Sequence, residues 1–242
     1  MSSQLGELGE RGTQLADNLG AVRARIADAA RAARRAPDDI TLVVVTKTWP
    51  ASDVLLLAQL GVTDVAENRD QEARPKSEET AGHGLRWHFV GQLQRNKARA
   101  VASYADVVQS LDRVELATAL DRAASERGRN LEVLIQVNLD PDADPASSRG
   151  GIAPSEVAAL AEHVAGCATL RLAGVMGVAP LGSDPGPAFD QLQRLSLELR
   201  VDHPGARVIS AGMSGDLQEA IAAGATHVRV GTAVLGGRPA LG

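Results

Sequence analysis

The chain has 242 residues, 44% hydrophobic and 23% charged, with a net charge of −5 and a pI near 5.6. Enough apolar surface is present to offset chain entropy, which excludes disorder over most of the length. The acidic balance argues against a protein that wraps nucleic acid or coats an anionic membrane.

The first element reads as a helix. Leu15, Leu19, Val22 and Ile26 recur at helical spacing, and Ala29, Ala30 and Ala33 extend the stripe. Pro37 and Asp38 end it. Residues 1–37 are therefore expected to form a leading helix packed on a barrel of residues 38–242, one domain overall. From Ile40 a regular alternation begins. Strands are expected at Ile40–Thr46, Val62–Ala66, Leu85–Val90, Asp106–Gln109, Leu131–Asn138, Leu170–Val178, Arg207–Ser210 and Thr226–Val230. The helical stretches between them are Ser52–Leu60, Asn68–Thr80, Gln94–Ser103, Arg113–Arg127, Pro154–Val164, Pro187–Val201 and Gly215–Ala223. Pro75 is expected to interrupt or cap the second of these. Eight strand–helix units with short connections imply parallel strands and right-handed crossovers. They favour a single α/β domain, a closed (β/α)8 TIM barrel with an extra N-terminal helix. An open sheet is the alternative, because strand four is weak. No G-x-G-x-x-G follows strand one, which lowers a dinucleotide-binding reading. Two longer connections, Leu139–Gly151 and Ala179–Gly186, follow strands and are either lids over a site or plain surface loops.

Cys167 is the only cysteine, so neither an intrachain disulfide nor a cysteine-based zinc site is available. No His, Asp or Glu spacing suggests a metal site. No apolar run is long enough for a membrane span. Met1–Asn18 is polar and lacks a signal-peptide core. The expected compartment is cytoplasmic.

In such a barrel, chemistry lies at the C-terminal ends of the strands. Those ends carry Lys47; Glu67 and Asn68; His88 and Gly91; Ser110, Asn138 and Met176; Ser210, Gly212 and Ser214; and Arg229, Gly231 and Thr232. Glycines and hydroxyls around 210–214 and 231–232 suit an anion, because backbone N–H groups can approach it closely. The loops after strands seven and eight are a frequent phosphate site of these barrels. The plainer reading makes them helix caps. Lys47 ends a strand that is apolar on both faces. An amine there is partly desolvated, and lysine is the residue that forms Schiff bases. It is one of only three lysines, with Lys76 and Lys97, among 25 basic residues. The simplest reading makes two or three of them surface charges. Arg229 shares a strand face with His227 and Gly231. It meets a phosphate, carboxylate or ring nitrogen inside the barrel, or it points outward to a surface carboxylate. His88 reads as a core hydrogen-bonding residue.

The same residues carry a resemblance. Val45-Thr46-Lys47-Thr48-Trp49-Pro50, Ala66-Glu67-Asn68 and Trp87-His88-Phe89-Val90-Gly91-Gln92-Leu93-Gln94-Arg95-Asn96-Lys97 resemble elements of the pyridoxal 5′-phosphate homeostasis protein family. Leu134–Asn138, Gly174–Gly177, Ser210–Ser214 and Val228–Ala233 match further elements, in consistent order from about residue 40 to 238. The family is related to the barrel domain of alanine racemase. The resemblance implies a barrel that binds pyridoxal 5′-phosphate (PLP), held as a covalent aldimine on Lys47. Ser210, Gly212, Ser214, Gly231 and Thr232 would hold the phosphate. Arg229 would face the pyridine nitrogen or support the phosphate site, and Asn68 and Met176 would line the cofactor. The implied role is intracellular PLP homeostasis: buffering, or delivery to apo PLP-dependent enzymes, by a monomer without strong catalytic activity. Arg69 and Arg149 depart from the family, which has tyrosine and lysine at these positions in many members, so a second lysine attachment point at 149 is in doubt.

Two alternatives stand beside the carrier. A PLP-dependent racemase of a small amino acid needs an acid/base on each face of the cofactor. The only tyrosine, Tyr104, precedes strand four, far from the rim, and the length leaves no room for the second domain of alanine racemase. A Schiff-base aldolase or sugar-phosphate isomerase would use the same rim without PLP.

Overall fold

The short Val- and Leu-rich runs each become a strand, and each strand pairs in parallel with its chain neighbour. The computed structural model describes residues 9–140 and 150–237. Helix α1 (Gly9–Ala32) leads, followed by a 3-10 turn at Pro37–Asp39. Then come β1 (Thr41–Val45), α2 (Ala51–Gln59), β2 (Asp64–Glu67), α3 (Asp70–Glu79), β3 (Arg86–Phe89), α4 (Ala98–Val101), β4 (Val107–Leu111) and α5 (Val114–Ser125). The second half continues with β5 (Leu131–Val137), α6 (Val157–Ala165), β6 (Leu170–Gly177), α7 (Gly186–Asp202), β7 (Val208–Ser210), α8 (Leu217–Ala222), β8 (His227–Val230) and α9 (Thr232–Leu235). β8 returns to pair with β1, from Thr41↔His227 to Val44↔Val230, so the sheet closes into an eight-stranded barrel.

The open-sheet alternative is thereby overturned. Strand four extends to Leu111, further than its residues suggested, and it pairs on both sides. Two other expectations change in detail. The α3 helix runs through Pro75 without a break. Ala73 and Lys76, both buried, anchor it to the barrel on either side of the proline, and Pro75 itself is exposed. Gln94–Ser103 is not one helix but a 3-10 turn at Arg95–Lys97 followed by the single turn of α4. Of the Leu139–Gly151 connection, residues 141–149, Arg149 among them, lie outside the described residues. The Ala179–Gly186 connection is a turn-rich loop leading into α7, with Leu181 exposed.

Hydrophobic residues divide into two layers. The large one lies between strands and helices, where Val44, Val65, Phe89, Val108, Ile135, Val175, Val228 and Val230 meet the helix faces. The small one lies inside the barrel, where Val107, Leu134, Ala173 and Met176 pack together. Beside it the interior holds a buried polar group of Asp64, His88, Gln109, Ser210 and Arg229. At the N-terminal ends of β3, β5 and β6, Arg86 and Arg171 both pair with Glu132.

Helix α1 buries the expected stripe, Leu15, Leu19, Val22, Ile26, Ala29 and Ala30. Its polar side chains also reach the barrel. Asn18 Nδ2 donates to the Val234 carbonyl at 3.0 Å. Arg25 donates to the Ser214 carbonyl at 2.9 Å. Arg35, just beyond the helix, donates to the carbonyls of Ile221 and Ala225. Among the described residues no helix is long and apolar enough to cross a membrane. Leu19 is 1% exposed, so Leu19→Ala should cost about 2–5 kcal/mol, the range for emptying a buried leucine site. Urea unfolding measures this, and a loss below about 1 kcal/mol would contradict the docking described here.

Candidate functional site

Lys47 directly follows β1, and helix α3 fixes its backbone from both sides. On the preceding residue, the Thr46 carbonyl accepts from Lys76 Nζ at 3.0 Å, and Thr46 Oγ1 donates to Glu67 Oε1 at 2.8 Å. On the following residue, Thr48 N–H donates to Glu72 Oε2 at 2.8 Å. Thr48 adopts a positive φ of 70°. A β-branched residue rarely takes that conformation, at a cost of order 1–3 kcal/mol, and the surrounding bonds must hold it there. Trp49 is covered by the Arg11 guanidinium, 4.3 Å from its ring centre. The same guanidinium binds Asp53 and the Leu235 carbonyl.

Lys76 is therefore not the surface charge that its polar helix suggested. It is 8% exposed and pairs with the fully buried Glu67 at 2.5 Å. The other Glu67 oxygen, Oε2, has no hydrogen-bond partner among the described residues, and neither does the buried Asn68 Oδ1. Burial pushes the Glu67 carboxyl above its usual range, despite the bonds from Lys76 and Thr46. Gly91 holds this corner tight: a Cβ there would lie 2.1 Å from the Asn68 carbonyl oxygen.

On the adjoining side of the mouth, the chain leaves β7 through Ala211-Gly212-Met213-Ser214. Gly212 has φ +88°, and a Cβ would meet Ala220 at 2.6 Å, so only glycine fits. Asp216 Oδ1 accepts from Met213 N–H at 2.6 Å and shapes the turn. Gly231 and Thr232 open α9, whose first amides have no acceptor within the helix. β8 pairs with β1, and Gly231 lies against Val45: a Cβ would come 3.1 Å from the Val45 carbonyl oxygen. The Lys47 turn and the 231–232 turn are thus neighbours on one rim. Ser214 is half-buried and Thr232 exposed, so both hydroxyls are accessible.

Arg229 points into the barrel and is 5% exposed, which overturns the outward alternative. Its Nη1 donates to Ser210 Oγ at 2.7 Å and its Nη2 to the Gly177 carbonyl at 3.0 Å. No carboxylate contacts it among the described residues. Burial lowers its pKa to about 10, still cationic at neutral pH. Ser210 Oγ donates in turn to Gln109 Oε1 at 2.7 Å. Gln109 Nε2 lies 2.8 Å from His88 Nδ1, and His88 Nε2 lies 2.9 Å from Asp64 Oδ1. The expected core role of His88 is what the geometry gives. Burial opposes ionisation of Asp64, but bonds from His88 and Thr63 outweigh it and hold the carboxyl below its usual value. His227, whose ring centre is 6.5 Å from that of His88, is pushed down to about 4 by burial. Met176, 2% exposed, ends the apolar interior next to Gly177.

Lys47, Asn68, Gly212, Ser214, Gly231 and Thr232 thus follow the C-terminal ends of their strands at one mouth of the barrel, while Met176, Ser210 and Arg229 are buried within it. Sequence reasoning missed Lys76 and Gln109. The first was legible only through the scarcity of lysine, the second through the alternation of β4. No group of His, Cys, Asp or Glu able to hold a metal ion occurs among the described residues. Lys76→Met would leave Glu67 buried without its cation. It should cost about 3–5 kcal/mol at neutral pH; unchanged urea stability would show that the pair does not brace the Lys47 strand end.

Comparison with known proteins places this arrangement. The description "Alanine racemase, N-terminal domain" matches residues 18–239. The pyridoxal phosphate homeostasis protein of Mycobacterium tuberculosis H37Rv is 42% identical over 257 aligned positions, covering 98% of each chain. That of Escherichia coli K12 is 37% identical over 230, covering 93% of this chain and 97% of its own. The structure of PipY from Synechococcus elongatus PCC7942, solved with PLP bound, matches with a TM-score of 0.80 at 32% identity, covering 92% of this chain and 100% of that one. The chain belongs to the pyridoxal phosphate homeostasis protein family, built on the N-terminal-domain fold of alanine racemase.

Proposed function

We propose that this protein binds pyridoxal 5′-phosphate covalently through Lys47 and takes part in intracellular PLP homeostasis, as a carrier that buffers the cofactor or delivers it. The observation that supports this most directly is the adjacency of the braced Lys47 turn to the Gly231–Thr232 turn across the β1–β8 seam. The names of the relatives and the PLP bound to PipY support the identity of the ligand.

When bound, PLP supplies an aldehyde able to condense with a primary amine, together with a phosphate that needs several donors. The residues present fit both ends. Lys47 offers the amine on a backbone that cannot drift. Ser214 and Thr232 offer hydroxyls, and Gly212 and Gly231 allow close backbone approach. Ser210 gives its proton inward to Gln109, so its part is to hold Arg229 at the edge of this cup. Arg229, an obligate donor, would face the ring nitrogen or support the phosphate site; at the nitrogen it would disfavour protonation and weaken the cofactor as an electron sink, which suits a carrier. Met176 and Asn68, whose Oδ1 has no hydrogen-bond partner among the described residues, would line the cofactor.

The racemase reading lacks a second base. Tyr104 is buried beside Trp87 and Asp106, and burial, with the carboxylates of Asp70 and Glu67 nearby, raises its hydroxyl pKa further, so it holds its proton and is no base. Apo PLP-dependent enzymes are the natural recipients, and we assign the protein to the cytoplasm as a monomer.

Purified protein should show the visible band of lysine-bound cofactor after incubation with PLP, and Lys47→Ala should abolish it. A band that survives the substitution moves the attachment elsewhere. A colourless wild type that takes up no PLP rejects the proposal. The Ser214→Ala/Thr232→Ala double variant should retain PLP at least tenfold less tightly, about one to two lost hydrogen bonds to an anion. Unchanged affinity would remove these hydroxyls from the phosphate site.

A further inference from the structure

The five side chains from Arg229 to Asp64 form one continuous line through the barrel, and the orientation of the Gln109 amide gives it one direction. Arginine only donates, so Ser210 Oγ accepts from Arg229 at 2.7 Å. The Ser210 proton then goes to Gln109 Oε1 at 2.7 Å. That orientation turns the Gln109 amide nitrogen toward His88 Nδ1 at 2.8 Å. Nδ1 must then carry a lone pair, which leaves the His88 proton on Nε2, facing Asp64 Oδ1 at 2.9 Å. Ser210 and Gln109 are 0% exposed, His88 1% and Asp64 7%, so water does not compete along the line. Every dipole points from the guanidinium toward the carboxylate. The Asp64 end opens on a cleft lined by Arg23, Ile26, Thr41 and Gly61, at the barrel end opposite Lys47.

We propose that Gln109 and His88 are positioning residues for Arg229. They couple it to Asp64 through three neutral groups, which fixes the guanidinium between Ser210 and the Gly177 carbonyl and keeps its remaining N–H groups available to the ligand. A carboxylate in direct contact would satisfy the charge but draw those N–H groups away from the pocket. The neutral relay satisfies the cation while leaving that side open. This inference rests on the PLP-binding reading for the ligand that Arg229 meets, and it adds that residues never touching that ligand govern how it is held.

Two measurements test it. In the wild type, 15N NMR of His88 should report the neutral tautomer protonated at Nε2. In Gln109→Glu the carboxylate should draw a second proton onto Nδ1, giving a doubly protonated ring. A wild-type His88 protonated at Nδ1 would overturn the proposal. The second measurement uses PLP-loaded protein. Gln109→Met keeps the shape but removes both bonds. It should shift the absorption maximum of the bound cofactor and release PLP about tenfold faster, with Lys47 still attached. Gln109→Glu, which still accepts from Ser210, should restore most of the retention. If the wild type takes up PLP and Gln109→Met matches it in spectrum and release rate, this inference alone fails. If the wild type takes up none, the functional reading fails and takes the ligand-coupling half with it.

Discussion

Arg229 is buried in the barrel with no carboxylate in contact among the described residues, and much of the interior is arranged around satisfying it. A bare guanidinium in that environment would cost several kcal/mol. The cost is met by a carbonyl on β6 and a hydroxyl on β7, and beyond the hydroxyl by an amide on β4, an imidazole on β3 and a carboxylate on β2. Five strands besides β8 therefore answer to one side chain. Only a closed barrel brings Ser210 and Gln109 together across 101 residues of sequence. The apolar cluster inside the barrel is accordingly small, Val107, Leu134, Ala173 and Met176, and the main hydrophobic layer lies outside the strands. With aromatics at 2% of the chain, Val, Leu and Ala fill that layer.

The other half of the site works on a different physical basis. Lys47 is placed through its backbone neighbours. Thr46 is tied to Lys76 and Glu67, and Thr48 to Glu72. One helix thus sets a strand end and a strained turn together. The Glu67–Lys76 pair belongs to the scaffold of the amine, much as the Arg229 line belongs to the scaffold of the pocket. Both are polar constructions in places where apolar residues would pack with less penalty. Each lies directly behind a residue of the rim.

Much of this was legible in the sequence because it rests on local periodicity. The alternation of short β-branched runs with helical stretches gave the barrel, and the two-residue period of β8 put His227, Arg229 and Gly231 on one face. Gly212 and Gly231 marked the close approaches. What stayed hidden depends on distant partners. Gln109 lies in a strand read as weak, and nothing near it in sequence announces Ser210 or His88. Lys76 belongs to a helix rich in Glu, Gln and Arg that reads as solvated, and only the packing of α3 against the end of β2 buries it. The family resemblance supplied the roles proposed for the rim residues, whereas the inward-facing bonds behind them came only with the closed structure.

The leading helix closes the molecule on itself. Arg11, Asn18 and Arg25, near the start of the chain, bind carbonyls of Leu235, Val234 and Ser214, which belong to the last two β/α units. During synthesis these partners leave the ribosome at opposite times. The Lys47 turn is made early, after Arg11 has already been synthesised, but the carbonyls that anchor α1 are among the last to appear. On the proposed reading, a nascent chain would carry its amine before the anion cup is complete. Since domains fold as units when their last elements emerge, ligand capture would be deferred to the end of translation, and a chain cut short before α9 would present its lysine without the proposed pocket.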